Sequence, residues 1–213
     1  MKESKVITID GIKVDLPESW NDLSVDQMQQ ALKTQEEDPE LWQDILFRIS
    51  VYSGIPYEQL QNRRINDESF EQLIDLLKWE RTALDINKIL SEIPNTIKFF
   101  DKDGKVKETI KVPKKIEEER LGSKILFMQE VAKVMKGKAE SEMISIVPLI
   151  HKALAIYFQP MVHPGPKKDE PFNTDYVTDF EEVCKRCKFV DALPVAAFFL
   201  MKSLNWMNGK RRK

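Results

Sequence analysis

The sequence predicts an α+β chain, predominantly α-helical, with two β-hairpins each followed by a helical bundle. Three observations carry this reading. Apolar residues alternate with period two on both sides of Asp10-Gly11, and more weakly around Asp103-Gly104. Each stretch ends in a proline, Pro17 or Pro113. After each proline, apolar residues recur at helical spacing. The order suggests two similar halves, residues 1–95 and 96–213, as a possible internal pseudo-repeat. They are expected as two lobes, or as one domain in which the hairpins pair.

The first hairpin spans Val6–Leu16. Asp-Gly suits its turn because a type I′ turn needs positive φ at both central residues. A lone hairpin is marginal in water, so this one is expected to dock on helices or on another strand. Pro17 to Asp22 reads as a connector carrying Trp20. Ser24 with Gln27 makes a capping box for a helix to about Thr34, with Val25, Met28 and Leu32 on its apolar face. Asp38-Pro39 starts a second helix, whose stripe is Leu41, Trp42, Ile45, Leu46, Ile49 and Tyr52. Gly54 and Pro56 stop it, and a short turn of helix follows at Tyr57–Gln61. Asn66 or Asp67 caps the next helix, whose stripe from Phe70 through Trp79 is read as continuing to Ile86 and Leu90.

The second hairpin, Thr96–Val112, has Lys98, Lys105, Lys107 and Lys111 set among its apolar residues. It is expected to project outward, with an edge guarded by charge, whereas the first covers the bundle. Lys114–Arg120 reads as a solvated charged turn or linker. A helix over Ser123–Met135 presents Ile125, Leu126, Met128, Val131 and Val134. Another, over Glu140–Phe158, contains Pro148, which should kink or break it. Gln159–Asp175 holds Pro160, Pro164, Pro166 and Pro171 and reads as a long irregular stretch. Thr178 is expected to cap a short helix to Lys188. Asp191 is expected to cap the last helix, with Val195, Phe198, Phe199, Met201 and Leu204 inward and Gly209 at its end.

With 213 residues and 42% hydrophobic content the chain can bury a sizeable core. A net charge of −2 argues against a chain-wide nucleic-acid surface. No apolar run reaches the length that spans a bilayer, and Met1–Lys5 lacks the apolar core of a signal peptide. No membrane partner is therefore expected, and two cysteines do not make a disulfide framework, so a reducing cytoplasm is the expected site of synthesis.

Cys184-x-x-Cys187 is the one motif with chemistry attached. With His151 and His163 it offers two thiolates and two imidazoles to zinc, but the histidines are far apart and the compact knuckle is missing. A redox pair would sit at a helix start after a strand. One buried and one partly exposed thiol on a helix is the preferred reading, and no metal or cofactor is expected. Asp101-x-Asp103-Gly104 resembles the opening of a calcium loop, yet the later ligands are out of register, which favours a polar turn. Glu117 and Glu118 are adjacent and would diverge on a helix, so they make no acid–base pair. The tail Lys210–Lys213 could add only a weak, salt-sensitive contact to nucleic acid. Trp42 and Trp79 fall on apolar stripes and are expected in the core. Trp20, Phe198, Phe199 and Trp206 are the candidate interface residues, as aromatics at the edges of elements.

The order of features resembles small proteins of tailed bacteriophages, including those infecting Bacteroides-type hosts. The residues concerned are the hairpin ending in Pro17, Trp20, Leu23-Ser24-Val25, Tyr52-Ser53-Gly54-Ile55-Pro56 and Leu193–Leu200. Such proteins are tail assembly chaperone-like, or structural components of neck and tail. The resemblance implies a non-enzymatic virion structural or assembly protein in the neck, tail or capsid interior, with other virion or assembly proteins as partners in an oligomer or larger complex. It implies a virion location after assembly in the host cytoplasm, and transfers no catalytic residue. The alternatives are a tail assembly chaperone absent from the mature virion, and a zinc- or thiol-dependent enzyme using Cys184 and Cys187.

Overall fold

The computed structural model describes residues 6–82, 84–113, 121–135, 146–162 and 174–210, with side chains described in these ranges except at 121–124, 134–135, 160 and 203–210. Helix predominates, with two separate two-stranded antiparallel sheets. The two hairpins therefore do not pair with each other. The chain forms two compact units, Met1–Asp85 and Ile86–Lys213.

In the first unit, β1 (Val6–Ile9) pairs with β2 (Ile12–Asp15), with Ile9 opposite Ile12. Asp10 and Gly11 have φ of 46° and 81°, the positive values the turn requires. Alternation puts Ile7, Ile9 and Val14 in the core and leaves Val6 half exposed. Helix α1 (Val25–Glu37) starts with the full capping box: Gln27 N–H donates to Ser24 Oγ (3.2 Å), and Ser24 N–H donates to Gln27 Oε1 (2.8 Å). It buries Val25, Met28 and Ala31, while Leu32 is exposed, so the apolar face lies one position from the expected one.

The second predicted helix is in fact two, α2 (Pro39–Gln43) and α3 (Ile45–Ser53). Asp44 separates them, because its side chain accepts from Leu46 N–H and caps α3. Gly54 ends α3 in the left-handed conformation, with φ of 71°. Helix α4 (Tyr57–Gln61) follows, then α5 (Asp67–Leu76), capped by Asn66 and packed on β1. A 3-10 turn over Leu77–Arg81 succeeds α5. Tightening to 3-10 turns the chain out of the α-helical stripe. Hence the stripe does not continue to Ile86 and Leu90, which are exposed on a separate helix. Leu23, Ile49 and Leu73 are fully buried, each worth about 1.5–3 kcal/mol in removal from water.

The second unit opens with that short helix, α6 (Ile86–Ser91), which contacts the C-terminal helix. This contact places the division before residue 86 rather than at residue 95. Strand β3 (Thr96–Phe100) pairs with β4 (Val106–Lys111), with a bulge at Phe99/Phe100. The hairpin does not simply project. Ile97 and Phe99 of β3 are fully buried, as deeply as the inner residues of β1, while Lys98, Lys105, Lys107 and Lys111 are exposed. As a strand of a two-stranded sheet β4 keeps an unpaired edge, and its Lys107 and Lys111 are exposed.

Helices α7 (Leu121–Met135), α8 (Ile150–Val162), α9 (Thr174–Cys184) and α10 (Phe189–Lys210) complete the unit. Helix α8 is its centre and touches α7, α9, α10 and β4. Every residue from Ala153 to Phe158 is buried, the all-round apolar character of a central helix. Pro148 marks a break, standing in a 3-10 turn over Val147–Leu149 ahead of α8. Helix α8 also runs past Gln159 through Pro160 to Val162, into the stretch read as irregular. Pro164, Pro166 and Pro171 lie outside the described residues, as do Lys114–Arg120.

Helix α7 buries Phe127 and Val131 and leaves Ile125 half exposed. Helix α9 begins ahead of Thr178, whose hydroxyl donates to Thr174 O within it rather than capping it. Helix α10 begins two residues before Asp191 and includes Gly209. It buries Val195, Ala196, Phe199 and Leu200, while Met201 is exposed.

Candidate functional site

The first unit carries a ladder of aromatic rings beside a cleft. Trp20 lies in a 3-10 turn over Trp20–Asp22, and its Nε1–H donates to Thr82 O at 2.8 Å. Its ring meets Trp79 edge-on, with centroids 4.8 Å apart. Trp79 is 5.3 Å from Tyr52, and Tyr52 is 6.1 Å from Trp42. Such tilted and T-shaped contacts suit the aromatic quadrupole and hold the rings in fixed orientations. Trp20, Trp42 and Tyr52 line a cleft of about 330 Å³ together with Gln35, Arg48, Lys78, Glu80 and Arg81.

Arg48 Nη1 donates to Glu80 Oε2 at 2.7 Å in the wall of this cleft. Their side chains are only 25% and 14% exposed, so the pair is largely desolvated. The bond is single: Arg48 Nε and Glu80 Oε1 are buried without a hydrogen-bond partner among the described residues. Burial and then the neighbouring Glu80 charge push the Tyr52 phenol well above its usual range. Gln27 Nε2 donates to Tyr52 O at 2.6 Å, so the residue that caps α1 also ties down the backbone beneath the aromatic ladder. On the rim, Lys78 pairs with Asp75 at 2.6 Å, both side chains being mostly exposed.

Of the three singled-out aromatic residues whose side chains are described, Trp20, Phe198 and Phe199, Trp20 alone lines this cleft. Phe199 is 1% exposed and stacks on Tyr157 with centroids 4.0 Å apart, so it belongs to the core of the second unit and not to a surface. Phe198, its neighbour, is half-buried, with the Lys202 ammonium 5.6 Å from its ring centroid. The side chain of Trp206 lies outside the described residues. Trp42, expected in the core, is half-buried on the cleft.

Cys184 and Cys187 are both fully buried free thiols, and not one buried and one partly exposed. Cys187 follows the end of α9, where its N–H donates to Cys184 O at 3.1 Å. Burial pushes the Cys184 thiol well above its usual range and raises Cys187 to about 12. Both are therefore protonated at neutral pH, whereas nucleophilic attack needs the thiolate. His151 Nε2 lies 3.7 Å from Glu181 Oε2. Burial, and then the Lys185 and Lys152 charges, hold the imidazole down at about 4. His163, Glu117 and Glu118 lie outside the described residues. Among the described residues, no group of three or more His, Cys, Asp and Glu is placed to hold a metal ion. Asp101 Oδ1 accepts from the N–H groups of Asp103 and Lys105, each at 2.9 Å, and Gly104 takes positive φ. That commits the carboxylate to closing a polar turn.

No helix is long and apolar enough to cross a membrane among the described residues. No protein-family model, curated protein or solved structure matches the chain.

Arg48 and Glu80 were not singled out in the sequence. A signal was present, since Arg48 stands directly before Ile49 in the apolar stripe of α3, where a charge needs a partner. Its partner is 32 residues away, and only the fold brings the two together.

Proposed function

We propose that this chain is a non-enzymatic structural or assembly protein of a tailed bacteriophage that works by protein–protein contact, as one part of a larger complex. The observation that carries the contact reading is the Trp20 cleft. Trp20 and Trp42 stand half-buried beside Arg48 and Arg81, and Trp, Tyr and Arg are the residues most enriched where binding energy concentrates in interfaces. Rigid rings cost little entropy on binding, and the bond from Trp20 to Thr82 further restrains its indole. The full burial and protonated state of Cys184 and Cys187 favour this reading over nucleophilic thiol chemistry.

The virion setting rests on the resemblance to tailed-phage proteins. Mass spectrometry of purified particles tests it, with the chain expected at a fixed copy number relative to the other virion proteins. Absence from particles, with abundance in infected cells, would reject the structural role in favour of a chaperone that leaves before maturation.

A further inference from the structure

We infer that the Trp20 cleft receives a protein segment in which an aromatic or aliphatic residue is flanked by carboxylates. This rests on the cleft being a contact site, as proposed above, and adds the chemistry of its occupant. The charges of the cleft are unequal. Glu80 is committed to Arg48 in the wall, and the rim carries two cations, Lys78 and Arg81, with Asp75 beside Lys78. Lys78 has only an exposed, local tie to Asp75, the kind of ion pair that contributes little and exchanges readily. Arg81 is exposed. The chain as a whole carries a net charge of −2, so this cationic rim is a local feature.

An acidic segment would be attracted to this rim, which gives position as well as binding. The interior of the cleft supplies the other half of the recognition. Rings of Trp20 and Trp42 offer apolar contact above the buried Tyr52, and a volume of about 330 Å³ suits one large side chain and its neighbours. A single-stranded nucleic acid also pairs cations with stacking rings, but it needs a charged path along its backbone. The cleft offers two rim cations and a buried carboxylate instead.

The test uses the full-length chain, with the indole N–H signal of Trp20 followed in proton–nitrogen correlation spectra. Three acetylated tetrapeptide amides are titrated: Glu-Leu-Phe-Glu, its Gln-Leu-Phe-Gln counterpart and its Lys-Leu-Phe-Lys counterpart. A short thymidine oligonucleotide is the fourth probe. The acidic peptide is expected to move the Trp20 signal and to bind about fivefold more tightly than the neutral one, the effect of two partly exposed ion pairs. The basic peptide is expected to bind least.

In the double variant Lys78→Glu, Arg81→Glu the order is expected to reverse. Both positions are exposed, so the fold should persist, and the remaining spectrum checks that. Equal binding of the three peptides, no movement of Trp20, an unchanged order in the variant, or tighter binding of the oligonucleotide would each overturn the inference. A chain present in particles whose cleft does not discriminate would sink this inference alone. Discrimination by a chain absent from particles would sink only the virion role.

Discussion

Acidification should weaken the second unit through His151, and the size of the effect follows from its surroundings. The imidazole is 12% exposed and is held neutral by burial, with Lys185 and Lys152 adding unfavourable positive charge and Glu182 and Glu130 opposing them. Its folded pKa, about 4, is depressed below the ordinary 6.5. For a histidine this means that stability is fully present above 6.5 and is lost as pH falls toward 4, because the unfolded chain binds the proton first. At 1.36 kcal/mol per pKa unit, the linkage removes about 2 kcal/mol by pH 5. Two neighbouring carboxyls shift in opposite directions. Burial raises the Glu181 carboxyl, which makes its protonation favour folding. Burial also pushes Glu130 up, but bonds from Lys133 and Lys152 outweigh it and hold it below the usual range. Glu130 therefore contributes stability above its unfolded pKa that is lost as pH falls through its folded one. Subtracting the curve of a His151→Gln variant isolates the histidine. Urea unfolding of both proteins at pH 7.5, 6 and 5 should show the wild type losing about 2 kcal/mol relative to the variant. Parallel curves, or a wild type that gains on acidification, would refute the reasoning.

Other substitutions probe separate parts of the fold. Arg48→Ala removes the cationic partner of the largely desolvated Glu80 and should cost about 3–5 kcal/mol in denaturant unfolding. Phe99→Ala, in a fully buried ring contact with Phe158 and Phe180, should cost about 3–5 kcal/mol, whereas Phe198→Ala should cost less than about 1.5 kcal/mol. Ser24→Ala removes one arm of the capping box and should cost about 1 kcal/mol, read from the same unfolding curves. Cys184 and Cys187, buried and protonated, should react with a thiol reagent at least about a hundredfold more slowly than a free thiol until denaturant is added.

Local chemistry explains which features were legible in the sequence. The turn at Asp10-Gly11, the box of Ser24 and Gln27, the stop at Gly54 and the break at Pro148 each depend on residues within a few positions of one another. Period alone was less decisive. In α1 the small Ala31 packs inward and Leu32 faces out, a choice set by what lies opposite. Asp44 sits inside an unbroken apolar stripe that masks it as a cap, yet its side chain bonds Leu46 N–H and the Tyr57 hydroxyl and divides the helix. Phe198 and Phe199 show the same limit: adjacent rings cannot both face inward, and only packing against Tyr157 and Phe158 selects Phe199. Lysines in the second hairpin suggested projection, but in a strand they mark one face only, and Ile97 and Phe99 dock the other. The cleft itself joins Trp20 to residues of α3 and of the turn after α5, a juxtaposition made by tertiary packing.

Cross-linking inside the particle addresses the proposed role most directly. A photoreactive phenylalanine analogue would replace Gln35, an exposed residue on the cleft, and in a control Lys107, an exposed residue of β4. After irradiation of purified particles, docking at the Trp20 cleft requires that position 35 join to one other virion protein, at a segment rich in Asp or Glu beside an apolar residue. Products from position 107 alone, products only between copies of this chain, or particles that lack the chain would contradict it.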